Sequence, residues 1–131
     1  MKFCEINTTK YPKIYVNFNS DNPSEEDVNQ YLSDMTLVYK SYKNIVVIYT
    51  SDKIKYMMAT NRIKIGTWLK ENAPTIKIAA LGVAYVSKNI LSNIVLKGIF
   101  LIKSPEWPNK ICSSIEDAEK WADQLIKNRE E

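Results

Sequence analysis

The order of segments predicts an α/β fold: a mixed, mostly parallel sheet of about five strands packed with four helices, in the order ββαβαβαβα. Two observations predict it. β-branched apolar runs alternate with amphipathic stretches of helical length, which is the sequence pattern of a layered α/β unit. The run at 45–49 is apolar at every position, as in a strand buried on both faces. At 131 residues the chain suits a single domain, residues 1–131, able to bury about two-thirds of its unfolded surface.

The elements follow in order. Residues 3–6 and 14–18 read as strands; in the second, Ile14, Val16 and Phe18 alternate with Tyr15 and Asn17. Residues 7–12 fit a hairpin loop. The string Asp21-Asn22-Pro23-Ser24-Glu25-Glu26-Asp27 starts a helix, with a cap, a proline in the first turn and acids at the positive helix end. Its apolar face is Val28, Tyr31, Leu32, Met35, Val38, Tyr39 and Tyr42. After the strand at 45–49, residues 50–59 are ambiguous between loop and helix start. A helix over 60–72 turns Ile65, Trp68 and Leu69 inward and stops at Pro74.

Residues 78–86 form the next buried strand, where Ala79, Ala80, Gly82 and Ala84 permit close approach. The helix over 88–103 is apolar around most of its circumference, so one sheet cannot cover it. Its surplus face either tucks under the loop at 104–108, capped by Trp107, or forms a dimer or ligand surface. The interface candidates are therefore Ile90, Ile94, Leu96, Phe100 and Trp107. Residues 110–112 read as a short edge strand. The last helix opens on a capping box, Ser113 with Glu116 or Ser114 with Asp117. It buries Ile115, Ala118, Trp121, Ala122, Leu125 and Ile126, and residues 127–131 are expected to fray.

Composition excludes several chemistries. The chain has no histidine, which removes the commonest general base and most transition-metal sites. Cys4 and Cys112 lack metal-ligand spacing and read as reduced, buried thiols of a cytoplasmic protein. Isolated glycines at 66, 82 and 98 make no phosphate-cradling loop. No metal or cofactor is expected, nor an enzyme. The amino terminus runs into a charged alternating segment, so no secretory leader is expected. The most apolar stretch, 90–102, falls short of the about 20 residues that span a bilayer, so no integral membrane association is expected.

The net charge of +3 is unevenly spread. Ten lysines and Arg62 face only Asp52 and Glu71 between positions 40 and 103, an excess of nine positive charges, while each end carries an excess of three negative ones. Solvated lysines paired with acidic terminal helices account for this; an anion-facing surface is the alternative. A nucleic-acid partner is not expected, because electrostatic binders are more basic overall.

One loop stands out as a regulatory or ligand site. Thr50, Ser51, Asp52 and Lys53 follow the central strand, and ligands of open α/β sheets bind outside the carboxyl ends of parallel strands. A hydroxyl here could take a phosphoryl group; a plain helix cap is the simpler reading. Arg62, opening the next helix, is a candidate anion contact.

Several strings carry a family resemblance. They are Ile45-Val46-Val47-Ile48-Tyr49-Thr50, Arg62 opening a helix that contains Trp68-Leu69-Lys70, and the alanine-rich strand leading to Ala84-Tyr85-Val86-Ser87. The closing Ser114-Ile115-Glu116-Asp117-Ala118-Glu119-Lys120-Trp121 joins them. With the segment order, they make the whole chain resemble the STAS domain, the anti-sigma-factor antagonist fold, particularly its SpoIIAA-like branch. Ile111-Cys112 replaces the phenylalanine region usual before the last string.

The resemblance implies a non-enzymatic bacterial regulatory module that binds a partner protein; the overly apolar helix at 88–103 adds a homodimer through that helix as an expectation. In some branches the resemblance implies a small apolar or anionic, lipid-like ligand instead. It also implies a phosphorylatable serine after the central strand, where this chain has Ser51 without the usual preceding aspartate and following glycine.

Overall fold

Successive residues of a strand face opposite sides of a sheet, and that alternation divides this protein's core in two. The computed structural model describes residues 3–51 and 53–130, the side chains of Ile90 and Glu130 excepted. β1 (Cys4–Asn7) pairs antiparallel with β2 (Lys13–Phe18). β3 (Ile45–Thr50), β4 (Ala80–Val86) and β5 (Asn109–Cys112) then join in parallel, so the sheet runs β1 to β5 in chain order. The crossovers α1 (Glu25–Ser41), α2 (Ala59–Ala79) and α3 (Ile90–Ile102) cover one face, each touching the next. The last helix, α4 (Ile115–Glu130), lies on the other face against β3, β4 and β5.

Ile45, Val47 and Tyr49 of β3 point under α1–α3, whereas Val46 and Ile48 point toward Ala118 and Ala122 of α4. The continuous apolar run at 45–49 is thus explained by helices on both sides. Cys4 and Cys112 lie buried on the two edge strands, and no disulfide joins them. No helix among the described residues is long and apolar enough to cross a membrane.

Helix entries account for several differences from the sequence reading. The α1 cap is Ser24, whose Oγ accepts the Asp27 N–H at 3.1 Å while the Asp27 carboxylate accepts the Ser24 N–H at 3.0 Å. Pro23 therefore sits just before the cap rather than in the first turn. It is fully buried, and its carbonyl accepts the Asn61 side-chain amide at 3.2 Å. Residues 53–58 are not helical: the Lys55 and Tyr56 N–H groups donate to the Asp21 carbonyl at 3.0 and 3.1 Å. At α4 the cap is Ser114, which accepts the Asp117 N–H at 3.2 Å.

Pro74 does not end α2, which continues to Ala79, so β4 starts at Ala80 rather than at position 78. Proline costs the bond to the carbonyl four residues back, but Pro74 is exposed, and buried Ala73, Ile76 and Ala79 hold the last turn on the sheet. Trp68 packs half-buried against the core beside Tyr39, as expected, and donates its indole N–H to Thr36 Oγ1 of α1 at 2.8 Å. Ile115 is exposed rather than buried, and where fraying is expected α4 is helical through Glu130, Glu131 lying outside the described residues.

Helix-on-helix packing depends on Gly66. A Cβ there would lie 2.6 Å from Ile102 Cβ, whereas one at Gly98 would lie 3.4 Å from the long, unbranched Arg62 side chain. Both glycines are helical, so adding a methyl group has the same intrinsic helix benefit at each. Gly66→Ala is expected to lose about 1–3 kcal/mol through overpacking. Gly98→Ala is expected to gain about 0.5–1 kcal/mol. Urea unfolding of the two variants checks both signs.

Candidate functional site

The alternation that buries Val16 and Val47 beneath the helices also brings three rings into line. Phe18, Tyr49 and Tyr85, toward the carboxyl ends of β2, β3 and β4, stack across the sheet. Ring centres are 5.9 Å apart for Phe18–Tyr49 and 5.4 Å for Tyr49–Tyr85, with interplanar angles of 6° and 7°. Tyr31 of α1 meets Phe18 edge-on at 5.1 Å, and Phe100 of α3 meets Tyr85 the same way at 5.3 Å. Edge-to-face contacts of this kind add about 0.5–1.5 kcal/mol beyond burial.

Above this aromatic floor lies a partly enclosed cavity of about 60 Å³. Its roof is built from Ile65 and Leu69 of α2 and from Ser92, Val95, Leu96 and Ile99 of α3; Ile54, Met57 and Trp107 close the sides. The lining is mainly apolar, with a few polar groups, as small-molecule sites commonly are.

Those polar groups are specific. The Tyr39 and Tyr49 hydroxyls lie 3.2 Å apart. Ser51 Oγ donates to the Val86 carbonyl at 3.4 Å, and the Ser87 and Ser92 hydroxyls are hydrogen-bonded to each other. Burial pushes the Tyr31, Tyr39, Tyr49 and Tyr85 hydroxyls well above the usual tyrosine pKa, so all four stay protonated at neutral pH. Trp107 is 4% exposed. Its indole N–H lies where it eases ionisation of Tyr85, yet it meets no acceptor at hydrogen-bonding geometry. A buried donor left so costs about 1–3 kcal/mol.

The candidates read from sequence separate here. Ser51 is buried and lines the cavity; Thr50 is half-buried at the end of β3, Lys53 is exposed, and Arg62 lies across Gly98 of α3. Asp52 lies outside the described residues, as does the side chain of Ile90. Of the interface candidates, Leu96, Phe100 and Trp107 face inward and line the cavity. Ile94 points outward at 56% exposure, joined by Leu91 and by Leu101 at 89%. The surplus apolar face of α3 is therefore open, and Trp107 fills the core instead of capping it.

The four tyrosines were the signal missed. Each sits at a readable buried position, but only strand register shows that they converge. No group of described residues could hold a metal ion. No protein-family model matches the chain, and no curated protein matches it either.

Tyrosines that resist ionisation when folded make stability depend on alkaline pH. In the unfolded chain they release protons near pH 10, while the folded state retains them. Stability is then fully present below about pH 10 and falls above it, by up to about 1.4 kcal/mol per pH unit for each tyrosine. Urea unfolding between about pH 8 and 11 measures the slope, and Tyr49→Phe should make it shallower.

Proposed function

We propose that the protein is a non-enzymatic binding module of the STAS, SpoIIAA-like kind, and that it holds a small apolar ligand beneath α3. The observation carrying this reading is the cavity: an aromatic-floored space at the carboxyl ends of three parallel strands, where open α/β sheets receive ligands. The STAS assignment draws its support from the segment order, a sheet running in chain order, and α4 alone on the far face. Binding rather than bond-making is supported by the wall. Its titratable side chains, among the described residues, are tyrosines kept protonated by burial.

Methyl resonances of Ile65, Val95 and Ile99 report on occupancy. Titration with 2-butanone or 2-methyl-1-butene is expected to shift them saturably, and Val95→Phe, which fills the space, should abolish the response. No saturable shift with either compound would remove the reading.

A second reading is favoured by Ile94 and Leu101, whose exposure leaves an apolar stripe on the outer side of α3. There a second copy of the chain docks, as the partner. Sedimentation equilibrium should then show a dimer that Leu101→Lys converts to monomer; a wild-type monomer at high micromolar concentration would eliminate it.

A further inference from the structure

We propose that the cavity selects neutral molecules carrying an acceptor oxygen on a short apolar body, such as a ketone, ester or ether, and that Trp107 Nε1–H is the group that reads that oxygen. The inference rests on the ligand-binding reading above and adds the chemistry of the ligand.

Three observations support it. First, indole nitrogen only donates, so Trp107 cannot satisfy itself by changing role, and its buried N–H, though near enough to the Tyr85 hydroxyl to ease its ionisation, meets no acceptor at hydrogen-bonding geometry. A hydrocarbon entering the cavity would leave that donor unanswered. An acceptor oxygen beside Tyr85 and Trp107 would answer it. Second, the tyrosine hydroxyls answer one another: Tyr39 and Tyr49 lie 3.2 Å apart, and hydrogen bonding between Tyr31 and Tyr49 acts on the ionisation of both, which leaves Trp107 as the unanswered donor of the wall. Third, no charged side chain lines the cavity among the described residues. A carboxylate would therefore be desolvated without a cation, which is costly, and this argues against the anionic ligand expected from the family resemblance.

Size sets the scale. A space of about 60 Å³ takes a small molecule, or one end of a larger one whose remainder leaves through the open side. Tyr85 and Phe100, which meet edge-to-face, line the cavity together with Trp107.

Three near-isosteric probes separate the alternatives: 2-butanone, 2-methyl-1-butene and propanoate, each titrated into the full chain and followed by nuclear magnetic resonance. The ketone is expected to bind about tenfold tighter than either other probe, the difference one net hydrogen bond makes. It should also move the Trp107 indole N–H resonance downfield while those of Trp68 and Trp121 stay still. Trp107→Phe, which keeps an aromatic ring and drops the N–H, should bring ketone affinity down to that of the alkene. If that variant does not fold, the wild-type titration decides alone.

Equal binding of ketone and alkene with a stationary Trp107 resonance overturns the inference and leaves the ligand-binding reading intact. Preference for propanoate overturns it in the same way. Failure of all three probes to bind removes both.

Discussion

Phe18, Tyr49 and Tyr85 stack in one row across three neighbouring strands, and much of the helical layer is arranged around that row. Tyr31 of α1 and Phe100 of α3 meet it edge-on, so the outer two crossover helices are both indexed to it. The row exists only because β2, β3 and β4 are parallel and in register, with Tyr49 opposite Tyr85. A slip of one residue in any of these strands would send its ring to the opposite face, against which α4 packs closely. Register, aromatic packing and the cavity are one constraint.

The two faces of the sheet are built differently. On one, bulky rings hold three helices at a distance and leave a cavity; on the other, α4 comes very close. A Cβ on Gly82 would stand 2.5 Å from a Leu125 methyl and 2.8 Å from the Trp121 ring. Hydrogen bonding adds to that close contact: the Tyr15 hydroxyl donates to the Glu119 carboxylate, and Lys13 pairs with Asp123 at 2.7 Å. Burial and that carboxylate together raise the Tyr15 pKa. The acidic last helix thus finds partners on β2, while acidic α1 meets the basic middle of the chain through Glu25 and Lys64 at 2.9 Å.

What could be read from the sequence depended on range. The run at 45–49 was legible as a central strand because both of its faces are buried, a property each residue carries alone. The mostly parallel sheet with four helices followed from segment order. Pro74 misled because its cost is local, while the anchoring of Ala73, Ile76 and Ala79 is tertiary. The neighbourhood of the site was legible from the rule that ligands sit at strand ends, and Ser51 does line the cavity. Which way Ser51 turns, and the meeting of tyrosines far apart in the chain, depend on register and on helix rotation. Neither is written in a single segment.

A sheet whose spatial order repeats its chain order has a kinetic corollary. Each parallel strand docks beside the one made just before it, so every strand pairing closes only one crossover, while α4 alone reaches back across the sheet to β2 and β3. Loop-closure entropy is then met one crossover at a time in the pairing of the sheet. The chain can wind up from its first hairpin as it leaves the ribosome, with α4 sealing the open face last.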